Sequence, residues 1–83
     1  MKLELYHFES CPFCKKVRKF IDDNEMRSKI IYHDTHKDSA ALERLMKLND
    51  DNQVPCLVID GTPMLESADI INWLNENKSK IIS

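Results

Sequence analysis

The chain has 83 residues, 42% of them hydrophobic, and a formal net charge of −2. This length suits a single domain, residues 1–83, in which folding buries only about 60% of the surface of the extended chain. The slightly acidic balance argues against a nucleic-acid binder, one glycine and three prolines argue against a low-complexity chain, and no apolar run approaches the ~20 residues of a membrane span.

Residues 2–8 (KLELYHF) read as a strand, with Leu3, Leu5 and His7 on one face and Tyr6 and Phe8 on the other. Glu4 and His7 interrupt its apolar residues, so no signal peptide is expected. From Pro12 to about Asn24 the spacing changes to three and four. Val17, Phe20 and Ile21 share one helical face, and Lys15, Lys16, Arg18 and Lys19 take the other. Proline suits the first helical position, where the N–H has no intrahelical partner.

Residues 28–34 (SKIIYHD) predict a second strand. A second helix follows, with Asp38 or Ser39 as N-cap and Leu42, Leu45, Met46 and Leu48 as its apolar stripe. Residues 54–60 (VPCLVID) are almost wholly apolar and predict a strand inside the sheet. Asp60-Gly61 predicts a tight hairpin turn into a short fourth strand, TPML. The last helix runs through ESADIINWLNEN, with Ser67 as N-cap, Ile70, Ile71 and Leu74 facing inward and Trp73 partly buried.

The order β-α-β-α-β-β-α predicts an α/β fold. A right-handed crossover makes the first two strands parallel, and the hairpin adds an antiparallel pair. The result is a mixed four-stranded sheet packed by three helices.

Three cysteines without a secretory signal point to free thiols in a reducing, cytoplasmic setting rather than to a disulfide framework. Cys11 and Cys14 form a Cys-x-x-Cys pair that is open to metal-binding, structural or redox readings. Zinc needs four ligands, and Cys56, His7, His33 and His36 supply no second spaced pair, so no metal is expected. Cys11 falls at about the N-cap of the first helix, where unpaired N–H groups and the helix dipole favour an anion. Thiols so placed beside Lys or Arg ionise more readily than free cysteine. Cys14, three residues on, is within reach for a disulfide, an arrangement that suits a nucleophile with a resolving partner.

A basic run is ordinarily a solvated helix face. That reading is preferred for Lys19, and for Lys15 and Arg18 it stands level with a role beside the thiols. Cys56 reads as a buried core thiol, the three histidines as strand-edge or loop residues, and Met26, Met46 and Met64 as packing.

Taken together, SCPFC after the first strand, QVP at residues 53–55 and LESADIINWL at residues 65–74 make residues 1–77 resemble glutaredoxins. These are thioredoxin-fold oxidoreductases that use glutathione. The ESADI element is more similar to the variant in glutathione transferase N-terminal domains and in the larger bacterial glutaredoxin. A Gly-Gly followed by acidic residues, found in most small glutaredoxins near this point, is absent.

The resemblance implies a thioredoxin-like fold with a cis Pro55 facing the active cysteine, and Cys11 and Cys14 as the catalytic pair. It also implies glutathione as co-substrate. Val54 would pair with its cysteine portion as an added strand, Glu66 would take the γ-glutamyl amine, and Ser67 the γ-glutamyl carboxylate. Phe13 would wall the site, and Lys15, Lys37 or Lys47 would meet the glycine carboxylate. Implied partners are glutathionylated or disulfide-bonded proteins and, indirectly, glutathione reductase, with the chain a monomer. Reduction by thioredoxin reductase, or a glutathione-ligated iron–sulfur cluster between two chains, are the alternatives.

Overall fold

The computed structural model describes residues 1–83. Its elements are β1 (Leu3–His7), α1 (Pro12–Asp23), β2 (Ile30–Asp34), α2 (Ser39–Asn49), β3 (Cys56–Ile59), β4 (Thr62–Met64), α3 (Ser67–Glu76) and α4 (Lys78–Ile82). The sheet order is β2-β1-β3-β4. β1 runs parallel to β2 and antiparallel to β3, and β3 runs antiparallel to β4. This is the mixed four-stranded α/β sheet that the sequence predicts, with β1 and β3 inside it.

Alternation along β1 and β3 divides the core into two layers. Leu3, Leu5 and Leu57 pack with Val17 and Ile21 of α1 and with Ile70 and Leu74 of α3. Tyr6, Cys56 and Val58 on the opposite face pack with Ala41 and Leu45 of α2. Asp60 and Gly61, with φ of 49° and 90°, form the two-residue turn between β3 and β4. Positive φ at both positions is what a hairpin turn of matching twist requires, and glycine takes it without a Cβ clash.

Five expectations need correction. β2 starts at Ile30, because residues 27–29 close a single 3₁₀ turn first. α2 buries Ala41 and Leu45, whereas Met46 and Leu48 are exposed and Leu42 is only half-buried. The small Ala41 makes the contact with the sheet, and Met46 falls on the helix flank. β3 begins at Cys56 rather than Val54, since its ladder with β1 starts with Cys56 opposite Tyr6 and the cis Val54–Pro55 peptide lies ahead of it. Glu66, not Ser67, is the N-cap of α3. The sheet carries four helices and not three, since Lys78–Ile82 forms a short α4 that buries Ile81 against the first core layer.

Two isoleucines separate packing from patterning. Ile21 is fully buried, while Ile31 on the edge strand is 48% exposed. Ile21→Ala is expected to lower unfolding free energy by about 2–5 kcal/mol. Ile31→Ala is expected to stay within roughly 0.5 kcal/mol of the native chain. Urea denaturation of the two variants checks both.

Candidate active site

The topology gathers three helix starts at one end of the sheet. β1, β2 and β4 all run in the same direction, and each is followed by a helix. α1, α2 and α3 therefore begin at the sheet end where β1 finishes and β3 starts. Register places Tyr6 opposite Cys56, so the cis Pro55 enters the sheet beside the strand that leads to Cys11. It also places Leu57 opposite Met64, which brings the start of α3 to the same end.

The three starts are capped differently. Cys11 is the N-cap of α1, and its sulfur accepts the Cys14 backbone N–H at 3.3 Å. Asp38 caps α2 by accepting the Ala40 N–H at 3.0 Å. No side chain caps α3, whose first N–H groups are free to meet an external acceptor. Glu66 sits there with φ of 72°, a left-handed conformation rare for a residue with a Cβ. Its Oε1 accepts from Gln53 Nε2 at 3.3 Å, which ties the start of α3 to the segment before the cis-proline.

The two thiols differ. Cys11 is 6% exposed and Cys14 fully buried, and neither is in a disulfide. Burial, then a hydrogen bond with the Cys11 side chain, pushes the Cys14 thiol up to about 12. Cys56 is also buried and its pKa is raised by burial, although the 3.3 Å bond from Asn49 Nδ2 opposes this.

The basic residues divide as well. Arg18 turns back from α1 and donates to the carbonyls of Phe8 (3.2 Å) and Glu9 (3.0 Å) and to His7 Nδ1 (2.9 Å). It thus latches the segment ahead of Cys11. Burial, then the Arg18 charge, holds His7 below its ordinary pKa. Lys19 pairs with Asp23 on the surface, the solvated role expected of it. Lys16 lies 5.7 Å over the ring of Phe13, itself 55% exposed beside the cysteine pair.

Of the proposed glutathione contacts, Phe13, Val54, Pro55, Glu66 and Ser67 belong to this sheet end. Val54 is half-buried, and its N–H and C=O take no part in the sheet ladder or in any turn. Lys37, on the loop entering α2, holds Glu9 Oε2 at 3.2 Å in an exposed pair. Lys15 and Lys47 are exposed and form no ion pair closer than 4 Å. Lys47 lies in the last turn of α2, where the helix dipole alone favours a cation.

Two contacts were missed by sequence reasoning. They are the Arg18 latch and a stack of His36 on Phe8, with ring centroids 3.8 Å apart, that joins the loops before α1 and α2. An aromatic before the cysteine pair and a histidine just past the second strand are visible in the sequence, but their pairing depends on the parallel register of β1 and β2. No group of three or more His, Cys, Asp or Glu is placed to hold a metal ion.

This is a thioredoxin-like α/β fold with a cysteine at the start of its first helix. The chain belongs to the glutathione S-transferase N-terminal domain family, whose pattern matches residues 5–80. A curated relative, prostaglandin E synthase 2 from Danio rerio, is 31% identical over 71 residues, covering 86% of this chain but only 18% of that protein. Among solved structures, the thioredoxin-like protein BC3987 superposes with a TM-score of 0.75 at 32% identity, covering 90% of this chain and 97% of the other. The Drosophila melanogaster glutathione S-transferase isozyme E7 gives 0.69 at 26% identity, covering 95% of this chain and 36% of that enzyme.

Burial and ionisation together predict a labelling order. Iodoacetamide at pH 7.5 is expected to modify one thiol in the native reduced chain, mapped to Cys11 by peptide mass spectrometry. Cys14 and Cys56 should react only on unfolding. A Cys14 thiol held up to about 12 keeps its proton in the folded state after the unfolded chain has lost it. Its contribution to stability is therefore complete below about pH 9 and is lost as pH rises toward 12. Stability to urea should fall more steeply above pH 9 in the native chain than in Cys14→Ala.

Proposed function

We propose that the chain is a glutathione-dependent thiol–disulfide oxidoreductase of the glutaredoxin type. The observation that carries this reading is the position of Cys11. It is the N-cap of α1, at the sheet end that also holds a cis Val54–Pro55 peptide and an α3 start without a side-chain cap.

In the proposed reaction, the Cys11 thiolate attacks the glutathione sulfur of a mixed disulfide. A Cys11–glutathione bond forms as the substrate's S–S bond breaks, and the substrate leaves as a thiolate that takes a proton from water. A second glutathione thiolate then attacks the glutathione sulfur bound to Cys11. Oxidised glutathione departs and Cys11 returns as a thiolate. Each step is an exchange at sulfur whose rate depends on the thiolate attacking, the thiol leaving and access to the bond.

The site groups have separate tasks on this reading. The free N–H and C=O of Val54 pair with the peptide portion of glutathione. The open first turn of α3, at Ser67, receives the γ-glutamyl carboxylate, and Glu66 receives the amine. Lys37, and Lys15 or Lys47, serve the glycine carboxylate, with Lys37 exchanging Glu9 for the ligand. Exposed pairs of the Lys37–Glu9 kind contribute little and are readily exchanged. Phe13 offers an apolar wall.

Cys14 is the slow partner. With its pKa pushed up to about 12, only on the order of one chain in 10⁵ carries it ionised at pH 7. The glutathione route through Cys11 alone is therefore the main one, and closure of a Cys11–Cys14 disulfide is kept for protein disulfides. We take residues 1–83 to act as one domain and one protomer in this chemistry.

Turnover of a glutathione mixed disulfide, coupled to glutathione reductase and NADPH, tests the reading. Cys11→Ser is expected to lose essentially all activity and Cys14→Ser to retain most of it. Glu66→Ala is expected to raise KM for glutathione by about tenfold, as removal of a charge-assisted contact does. No turnover by the native chain would remove glutathione and leave thioredoxin reductase as the donor to try.

A further inference from the structure

Four basic residues follow the cysteine pair, and only one of them is turned inward. Lys15, Lys16 and Lys19 are exposed, whereas Arg18 is half-buried. Glu9, Asp22 and Asp34 line the same groove, yet no carboxylate comes within 4 Å of the Arg18 guanidinium. The fork is spent on three uncharged acceptors instead: His7 Nδ1 and the carbonyls of Phe8 and Glu9.

These acceptors belong to consecutive residues, and the chain they hold is the one that carries Cys11. β1 ends at His7, α1 begins at Pro12, and Glu9 and Ser10 form an exposed turn between them. The one backbone hydrogen bond inside this turn runs from the Cys11 N–H to the Phe8 carbonyl, at 3.3 Å. Arg18 donates to the same carbonyl, so the guanidinium and the Cys11 N–H share an acceptor. An exposed turn with a single long hydrogen bond is ordinarily mobile. Its outward contacts, His36 on Phe8 and Lys37 on Glu9, come from exposed side chains. The inward hold is that of Arg18.

A guanidinium can only donate, so the third contact needs a neutral His7 ring with Nδ1 as acceptor. Burial and the Arg18 charge, which hold His7 below its ordinary pKa, keep it neutral at pH 7. Lysine does not supply the same hold. Its ammonium is a point charge on a flexible stem, whereas the planar fork meets several fixed acceptors with less freedom lost for each bond.

We propose that Arg18 is a positioning residue for the nucleophile, whose fork fixes the Phe8–Glu9 backbone and thereby the place of the Cys11 sulfur relative to an incoming disulfide. It acts through the turn and not on the substrate. Its shape counts for more than its charge, because attack on a disulfide requires the sulfur to be held along the axis of the bond that breaks. The inference rests on the proposed function only in taking Cys11 as the nucleophile, and glutathione has no part in it.

The test reads the first attack alone, on the whole chain carrying Cys14→Ser as the parent. The Cys11 thiolate attacks 4,4′-dithiodipyridine. A bond forms between Cys11 and one pyridyl sulfur, the reagent's S–S bond breaks, and pyridine-4-thiolate leaves as the coloured product. The rate is divided by the ionised fraction of Cys11, read from thiolate absorbance in the ultraviolet, so that changes in ionisation cancel. Arg18→Lys and Arg18→Met are each expected to lower the rate per thiolate about tenfold or more, as a small displacement of a reacting group does. Lys19→Met, on the same helix, should stay within about twofold of the parent. Circular dichroism at the assay temperature identifies the folded chains to be compared.

An Arg18→Lys chain with the parent rate would overturn the proposal, because a cation alone would then suffice. A folded Arg18→Met chain with the parent rate would also overturn it. So would two Arg18 variants that do not fold, since the role would then be structural. A parent chain whose Cys11 forms no mixed disulfide would instead overturn the proposed function along with this inference, an outcome distinct from the other three.

Discussion

The hydrogen bond from the Cys14 backbone N–H to the Cys11 sulfur is the contact around which the site is arranged. It makes a thiol do the work that Ser or Asp does at other helix starts. The same atom thus begins α1 and is the nucleophile of the proposed reaction. Pro12 at the first helical position fixes the backbone beside it, and Arg18 holds the two carbonyls ahead of it. β1, which delivers Cys11, lies between β2 and β3 with Leu5 and Tyr6 buried on opposite faces. The cysteine is carried by the most constrained strand of the sheet, which is how a loop residue acquires a fixed position.

Sheet direction explains why the rest of the site is where it is. Three strands pointing the same way put three helix starts, with their positive dipole ends, at one edge. One is closed by Asp38, one by the Cys11 sulfur, and the third is left open at Ser67. Glu66 takes a left-handed backbone to start that third helix without capping it. Its carboxylate is turned to Gln53 instead, next to the strand entry at Val54 and Pro55. Of the three helix starts at this end, only that of α3 is left without a side-chain cap.

Much of this was legible in the sequence, for definite reasons. Alternation in KLELYHF marked a strand, and the apolar run in VPCLVID marked an inner one, because both its faces must be covered. Asp60-Gly61 marked its turn through the backbone angles that only such residues accept. Cys11 at the helix start followed from proline at the next position. Other features depend on three dimensions. The ESADI stretch reads as a helix capped by Ser67, whereas the helix starts one residue earlier, with Glu66 at the cap position in a positive-φ conformation that no side-chain pattern announces. Of the predicted stripe Leu42, Leu45, Met46 and Leu48, only Leu45 is buried against the sheet, and the small Ala41 makes the rest of that contact. The sequence held Arg18 level with Lys15 between a solvated role and one beside the thiols, and did not show the latch, since its carbonyl partners come from the loop geometry and not from any side-chain pattern. The raised pKa of the Cys14 thiol also depends on three dimensions, because its complete burial comes from how α1 is pressed onto the sheet.

The central claim, that glutathione is held between Cys11, Val54 and the start of α3, is tested most directly on the trapped intermediate. Cys14→Ser treated with oxidised glutathione should gain one glutathione on Cys11. Nuclear Overhauser contacts in that adduct should link the glutathione cysteine to Val54 and its γ-glutamyl group to Glu66 and Ser67. An adduct that forms on Cys11 but makes no contact with those residues would contradict the account, and so would one that forms only on Cys56.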